Sequence, residues 1–153
     1  MKQILIDVPV DENALRALRA LPSVGVQVVP PHRSRETWPP DLIHSFHILL
    51  CKFPPANFDD LKALEFLQLS TVGYEHLRDL GLGDRSVRVC NARGLFDTGI
   101  GEWNVAMMIN LSRDLRGMIR RQEYGAWDRA TRFHQELRGR AVGLWGYGGI
   151  GRE

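Results

Sequence analysis

The stretch Ala141-Val142-Gly143-Leu144-Trp145-Gly146-Tyr147-Gly148-Gly149-Ile150-Gly151 joins a short apolar run directly to closely spaced glycines. Three of these glycines match the spacing GxGxxG. In a dinucleotide-binding fold the first allows the tight turn out of a strand, the second admits the pyrophosphate, and the third lets helix and strand pack closely. The stretch therefore predicts a strand at residues 141–145 and then a phosphate-binding loop at a helix N-terminus. The predicted loop residues are Gly146, Tyr147, Gly148, Gly149, Ile150 and Gly151.

The glycine spacing by itself also fits an ordinary tight turn, and both interpretations stay open at this point. The apolar run before it favours the phosphate loop, because the motif requires a preceding strand. The acidic residue expected about 20 positions after the third glycine would lie after Glu153.

Upstream of this stretch, short apolar runs alternate with helical patterns. Residues 4–6 predict a strand closed by Asp7, and residues 14–21 carry apolar side chains at helical spacing behind Asp11, a predicted N-cap. A short helix is predicted near residues 58–64 and a helical turn at residues 76–80. Further strands are predicted at residues 24–29, 46–51, 66–69 and 87–89. Five apolar strands alternating with helices indicate an α/β fold with a parallel sheet covered on both faces.

A longer helical pattern runs from about Thr98 to about Glu123. Its apolar stripe comprises Ile100, Trp103, Met107, Leu111, Leu115 and Ile119. The spacing predicts one long helix, much of whose N-terminal half should be buried. A helix of this kind often joins domains or subunits, so a homodimer through this helix is predicted.

The overall composition favours a soluble enzyme-like protein. The 153 residues suit one domain plus a fragment, and a net charge of +2 without a basic stripe argues against nucleic-acid binding. The sequence shows no signal peptide and no apolar stretch of bilayer length. Cys51 and Cys90 form no CxxC pair, and His44 and His47 lack a completing ligand set, so no zinc or other metal site is predicted. Reduced thiols suit a cytoplasmic location.

Five segments of the chain, taken in order, form a distinctive pattern. They are residues 67–77 (LQLSTVGYEHL), 87–94 (ending NARG), 97–102, 124–127 (YGAW) and 137–143 (LRGRAVG). Together these segments resemble the D-isomer-specific 2-hydroxyacid dehydrogenases, a family that includes glyoxylate/hydroxypyruvate reductases and phosphoglycerate dehydrogenases. The resemblance covers nearly the whole chain. It departs from the common pattern at Glu75, where the family usually has Asp, and at Gly101, where many members have Ala.

The resemblance implies a domain organisation and two binding loops. Residues 1–97 would form a flavodoxin-like substrate-binding domain, and residues 98–153 a linking helix and the start of an incomplete NAD(P)-binding Rossmann domain. Val72 and Gly73 would offer backbone N–H groups to the substrate carboxylate, as small glycine-containing loops can; the alternative is an ordinary strand-to-helix turn. Thr98 would lie near the nicotinamide or phosphates, although Asp97 or Thr98 could equally be the helix N-cap, the interpretation we favour.

The function implied is that of an oxidoreductase using NAD or NADP on the CH–OH group of D-2-hydroxy acids, or reducing 2-keto acids. The family's catalytic arginine, glutamate and histidine come from the later part of the Rossmann domain, so no catalytic residue is assigned. We expect this chain, as a truncated form, to be inactive and to bind NAD(P) weakly. The alternatives are a non-catalytic binding or dimerisation module derived from this family and, less favoured, another nucleotide-binding enzyme such as a methyltransferase.

Overall fold

The structure is a computed structural model that describes residues 1–127 and 135–153. The chain divides into two compact units, Met1–Arg93 and Gly94–Glu153. Each helix in the described part of the chain is too short or too polar to reach across a lipid bilayer.

The first unit contains a five-stranded, fully parallel sheet in the order β2-β1-β3-β4-β5. This is the flavodoxin-like order of a doubly wound sheet. The predicted α/β parallel sheet is thereby confirmed, with β3 and β5 beginning slightly later than the apolar pattern suggested. The strands are β1 (Lys2–Asp7), β2 (Val24–Val28), β3 (Ile48–Cys51), β4 (Phe66–Leu69) and β5 (Arg88–Cys90).

Both faces of strand β1, which lies between β2 and β3, are buried, and this explains its unbroken apolar run. Leu5 belongs to the larger of two core clusters, whereas Ile4 and Ile6 point to the opposite face and pack with Leu15. Side chains alternate between the faces of a strand, so a strand covered on both sides needs apolar residues in succession. Other buried members of the larger cluster are Trp38, Ile43, Phe46, Leu49, Cys51, Phe58, Leu61, Leu64, Leu67, Leu69 and Leu80.

The helices of the first unit are short. Helix α1 (Glu12–Arg19) begins as predicted after Asp11, whose Oδ1 accepts the backbone N–H groups of Asn13 at 2.9 Å and Ala14 at 3.1 Å. Helix α2 (Pro40–Ile43) has a single turn. The short helix expected near residues 58–64 is instead a 3-10 turn, Phe58–Asp60. The helical turn expected at residues 76–80 corresponds to the 3-10 turn Glu75–Leu77, and a further such turn is Leu82–Asp84. Connections of this length accommodate tight single turns more readily than regular α-helices.

In the second unit the prediction of one long helix is wrong. The prediction that much of its N-terminal half is buried is also wrong, because residues 97–113 include no buried side chain. Helix α3 (Asp97–Arg113) ends at Asp114, which has left-handed backbone angles, φ 49° and ψ 44°, and helix α4 (Leu115–Glu123) follows at once. The Asp114 side chain accepts the N–H of Gly117 at 3.2 Å and so caps α4. Leu111 and Leu115 are four residues apart, so the apolar spacing continues across the break between the helices. For this reason the sequence pattern did not reveal the break.

The start of α3 also differs from the favoured interpretation. Its N-cap is Phe96, without a side-chain cap hydrogen bond, so neither Asp97 nor Thr98 is the cap. Both lie in the first turn, where the negative charge of Asp97 is favourable to the helix dipole.

Residues 141–145 are not a strand of a sheet, contrary to the prediction. A strand is stabilised by hydrogen bonds to a neighbour, and the structure pairs this segment with none of the residues it describes. Its apolar side chains are exposed, including Val142, Leu144 and Trp145. The glycine run that follows leads into the one-turn helix α5 (Gly149–Arg152).

Candidate functional site

The Val72–Gly73 loop lies where β4 ends, beside the end of β5. The two strands pair in parallel, with Phe66 opposite Arg88 and Gln68 opposite Cys90. Their carboxyl ends therefore meet at one edge of the sheet. In doubly wound α/β folds this is the edge where ligands bind.

Three consecutive carbonyl oxygens of this loop accept hydrogen bonds. The Thr71 oxygen accepts the backbone N–H of Ala92 at 2.9 Å, and the Val72 oxygen accepts Nδ2–H of Asn91 at 2.8 Å. The Gly73 oxygen accepts the Thr71 hydroxyl at 2.9 Å. The orientation of each of these peptide units is thereby held.

Fixing the carbonyls also fixes the amides. In a trans peptide the N–H of a residue points opposite to the C=O of the residue before it. The bonds to the Thr71 and Val72 oxygens therefore direct the N–H groups of Val72 and Gly73 away from the end of β5. Among the residues described by the structure, the N–H groups of Val72, Gly73 and Tyr74 find no backbone acceptor. Val72 and Gly73 are exposed, so these donors are open to a ligand.

An open cavity of about 440 Å³ adjoins the loop. Its size is within the range of small-ligand pockets. Mostly apolar side chains surround it, with Asn91 as a polar member, so one residue contacts both the loop and the cavity. The lining comprises Leu69, Tyr74, Leu77, Val89, Cys90 and Asn91.

Glu75 places a carboxylate close to the loop. A Cβ atom added to Gly73 would lie 2.8 Å from Glu75 Oε2, so this side of Gly73 is occupied by the glutamate. Glu75 is exposed and can turn away. Its negative charge weakens the attraction of the loop for anions, with solvent and salt reducing the effect.

A buried carboxylate marks the carboxyl end of β1. Asp7 is 0% exposed, and its Oδ1 lies 2.9 Å from the backbone nitrogen and 2.7 Å from Nδ1 of His32. The His32 ring packs on Trp38 with 4.9 Å between ring centroids. Asp7 pairs in register with Cys51, and burial, followed by the charge of Asp7, raises the pKa of the Cys51 thiol. Asp7 thus holds the segment that follows β2, a role that the sequence analysis missed.

The glycine run forms a tight turn in the second unit. Gly146 has φ 99°, a left-handed conformation that favours glycine. A Cβ atom on Gly151 would lie 2.8 Å from the Gly146 carbonyl oxygen, so the one-turn helix α5 packs closely on the start of the run. The carboxylate of Asp97, the neighbour of Thr98, lies against Gly149. Among the described residues, no group of three histidine, cysteine or acidic side chains is placed to hold a metal ion.

The C-terminal part of the chain matches a known protein family. Residues 105–153 match the family model described as D-isomer specific 2-hydroxyacid dehydrogenase, NAD binding domain. Residues 105–153 are thus similar to the NAD binding domain of the D-isomer specific 2-hydroxyacid dehydrogenases. The resemblance predicted from the sequence is confirmed by this match, which includes the glycine run. No curated protein matches the chain in sequence.

Solved structures of 2-hydroxyacid dehydrogenases share the fold of this chain. The D-lactate dehydrogenase of Aquifex aeolicus, complexed with NAD and lactic acid, has a TM-score of 0.79 at 17% sequence identity. The match covers 99% of this chain and 46% of the Aquifex chain. The D-lactate dehydrogenase of Treponema pallidum has a TM-score of 0.77 at 19% sequence identity, and the match covers 99% of this chain and 48% of the Treponema chain. The NADPH-dependent glyoxylate/hydroxypyruvate reductase of Sinorhizobium meliloti, in complex with citrate, has a TM-score of 0.73 at 19% sequence identity. The match covers 99% of this chain and 48% of the reductase chain. The chain spans about half the length of these structures.

Proposed function

We propose that the chain is the N-terminal part of an NAD(P)-dependent oxidoreductase that acts on the CH–OH group of D-2-hydroxy acids or reduces 2-keto acids. Residues 1–97 form its substrate-binding domain, and residues 98–153 contribute linking helices and the start of a Rossmann domain. The family match to an NAD binding domain supports this assignment. The free thiols of Cys51 and Cys90 suit the cytoplasmic location that we propose with it.

The orientation of the Val72–Gly73 loop carries the substrate half of this proposal. Its carbonyls are bound within the protein and its amides are exposed, so the loop presents donors to an anion. We assign the substrate carboxylate to the N–H groups of Val72 and Gly73, with Tyr74 beside them. Hydrogen bonds to a charged group contribute roughly 1.5–3 kcal/mol each. These bonds bind and orient the acid, whose remaining atoms lie toward the adjoining cavity.

The glycine run supplies the cofactor half. We propose that the backbone of Gly146, Tyr147, Gly148, Gly149, Ile150 and Gly151 holds the pyrophosphate of NAD or NADP, whose nicotinamide supplies or accepts the hydride. The positive φ of Gly146 and the close approach of Gly151 to its carbonyl fit this role. Thr98, beside Asp97 in the first turn of α3, is proposed to lie near the cofactor.

One feature of the second unit opposes tight cofactor binding. The Asp97 carboxylate against Gly149 repels a pyrophosphate. The resemblance assigns acid–base chemistry to an arginine, a glutamate and a histidine of a later part of the family's Rossmann domain. We therefore propose that residues 1–153 alone are inactive.

The first test measures carboxylate binding at the loop. Titration of the ¹⁵N-labelled chain with D-lactate should shift the amide signals of Val72, Gly73 and Tyr74, with a dissociation constant on the order of 1–10 mM for a few exposed charge-assisted hydrogen bonds. Lactamide, which lacks the carboxylate, is the matched ligand and should leave them unchanged. Glu75→Gln should tighten binding about two- to fivefold by removing a nearby negative charge. Equal shifts with lactamide, or none with D-lactate, would contradict the assignment.

The second test concerns the cofactor. Residues 1–153 should show no glyoxylate-dependent oxidation of NADH, and no saturable NADH binding below about 1 mM as followed by fluorescence. Asp97→Asn should raise the affinity a few-fold by removing the repulsion, without producing turnover. Saturable micromolar binding or measurable turnover by the unaltered chain would show that the proposed inactivity is wrong.

A non-catalytic dimerisation module is the second candidate function. Helices α3 and α4 leave large apolar side chains exposed, with Trp103 at 63% and Leu111 at 82%. Concentration-dependent dimerisation in sedimentation experiments, without carboxylate or NADH binding, would favour this module over the oxidoreductase.

A further inference from the structure

We propose that Asn91 is a positioning residue for substrate binding, because its side-chain amide holds the Val72–Gly73 peptide in the orientation that presents the Gly73 N–H to a carboxylate. The proposal rests on the function assigned to the loop above. Asn91 does not itself contact the carboxylate. It acts through the peptide that it binds.

Asn91 is well placed for this role. It follows β5 directly, and its Nδ2 lies 2.8 Å from the Val72 oxygen. Its own backbone oxygen accepts Nε2–H of Gln68 at 3.2 Å, and the same nitrogen lies 2.9 Å from the Leu69 oxygen. The two strand ends thus hold Asn91 from one side while its side chain holds the loop on the other.

The bond matters because the peptide it fixes precedes a glycine. Rotation of the Val72–Gly73 peptide changes ψ of Val72 and φ of Gly73, and glycine adopts positive φ without steric cost. The φ of Gly73 lies outside the left-handed region in the structure. Without the amide of Asn91, rotation of this peptide would direct the Val72 carbonyl toward the ligand, where its oxygen would repel a carboxylate.

The neighbouring peptides do not replace this bond. The Ala92 N–H fixes the Thr71 oxygen and hence the Val72 N–H, while the Thr71 hydroxyl fixes the Gly73 oxygen. The peptide between them depends on Asn91. Loss of the amide should therefore affect the Gly73 N–H more than the Val72 N–H.

Asn91→Asp and Asn91→Ala test the proposal in the 153-residue chain. The first is nearly isosteric and lacks the donor, and the second lacks it without adding charge. Each should weaken D-lactate binding at least tenfold in the amide titration, and Asn91→Gln, which keeps a donor, should recover part of the loss. Asn57→Asp is the matched control, because Asn57 makes a similar bond from Nδ2 to the Trp38 oxygen at 3.1 Å in another loop. It should lower stability yet change the D-lactate affinity less than twofold.

A readout without ligand separates this proposal from the function on which it rests. The carbonyl ¹³C signal of Val72 and the amide signal of Gly73 should move in Asn91→Ala and stay in place in Asn57→Asp. If the unaltered chain binds D-lactate and the Asn91 variants bind within twofold of it, the positioning role is overturned while the substrate loop stands. If the unaltered chain does not bind, the loop assignment fails. In that case unchanged Val72 and Gly73 signals in Asn91→Ala overturn the orientation claim as well, and altered signals support it.

Discussion

Replacing Trp38 with alanine should lower the free energy of unfolding of the Met1–Arg93 unit by about 4 kcal/mol. Trp38 is 1% exposed and belongs to the larger core cluster. Its backbone is held by Asn57, which accepts its N–H at 2.9 Å and donates to its oxygen at 3.1 Å. Because these bonds keep the segment in place, the core cannot collapse fully into the space left by the indole. The loss therefore combines the transfer term with a cavity term.

Urea denaturation followed by far-ultraviolet circular dichroism measures this effect. Trp38→Phe is the matched variant and should cost about 1–1.5 kcal/mol, because a phenyl ring fills most, though not all, of the space of the larger indole. It loses no hydrogen bond, since the buried Nε1 of Trp38 finds no acceptor among the described residues. If Trp38→Ala lowered the free energy of unfolding by less than about 1 kcal/mol, the packing of Trp38 in the core would contribute little to stability. That result would contradict the prediction. The free energy of unfolding of a natural domain is roughly 5–15 kcal/mol, so the loss expected for Trp38→Ala is a large part of the total stability.

The second large effect is expected at Asp7. Replacing Asp7 with alanine should lower the free energy of unfolding by about 3 kcal/mol. The substitution removes both hydrogen bonds that Asp7 Oδ1 makes with His32 and leaves a partly buried backbone N–H without a partner. Relief of the desolvation penalty of a buried carboxylate offsets part of this loss, which is why the expected value lies below that of the tryptophan variant.

His32→Ala separates the two bonds, because it keeps the backbone N–H bond to Asp7 and removes the ring. It should cost about 1–2 kcal/mol in the same denaturation experiment. The double variant should lose less than the sum of the two single losses, because the residues share one interaction. An Asp7→Ala protein as stable as the unaltered chain would mean that burial of the charge costs as much as its hydrogen bonds contribute.

The sequence predicted the sheet well because burial on both faces leaves a simple pattern. The short apolar run at Ile4, Leu5 and Ile6 favours a strand that is buried on both sides. The structure places these side chains in the two core clusters. The cap at Asp11 was also readable from a short acceptor side chain before a helical pattern. The same argument failed at Asp97 and Thr98, because that helix begins at Asp97 itself.

Features that depend on contacts between distant residues were not readable. The Asp7–His32 pair spans 25 positions, and the bond from Asn91 to Val72 spans 19 and exists because β4 and β5 are neighbours. The break at Asp114 escaped because two helices in succession kept one apolar spacing. Residues 141–145 have the composition of a strand, but a sheet requires a partner that the composition does not reveal.

The position of β5 at the edge of the sheet links ligand binding to local unfolding. This strand has three residues and pairs with β4 on one side. When it detaches, Asn91 and Ala92 release the two carbonyls they hold, and the loop loses its geometry together with the strand. A carboxylate bound at the loop would by mass action suppress this opening and slow hydrogen exchange in β5. The stability of the shortest strand of the sheet would then depend on the concentration of that carboxylate.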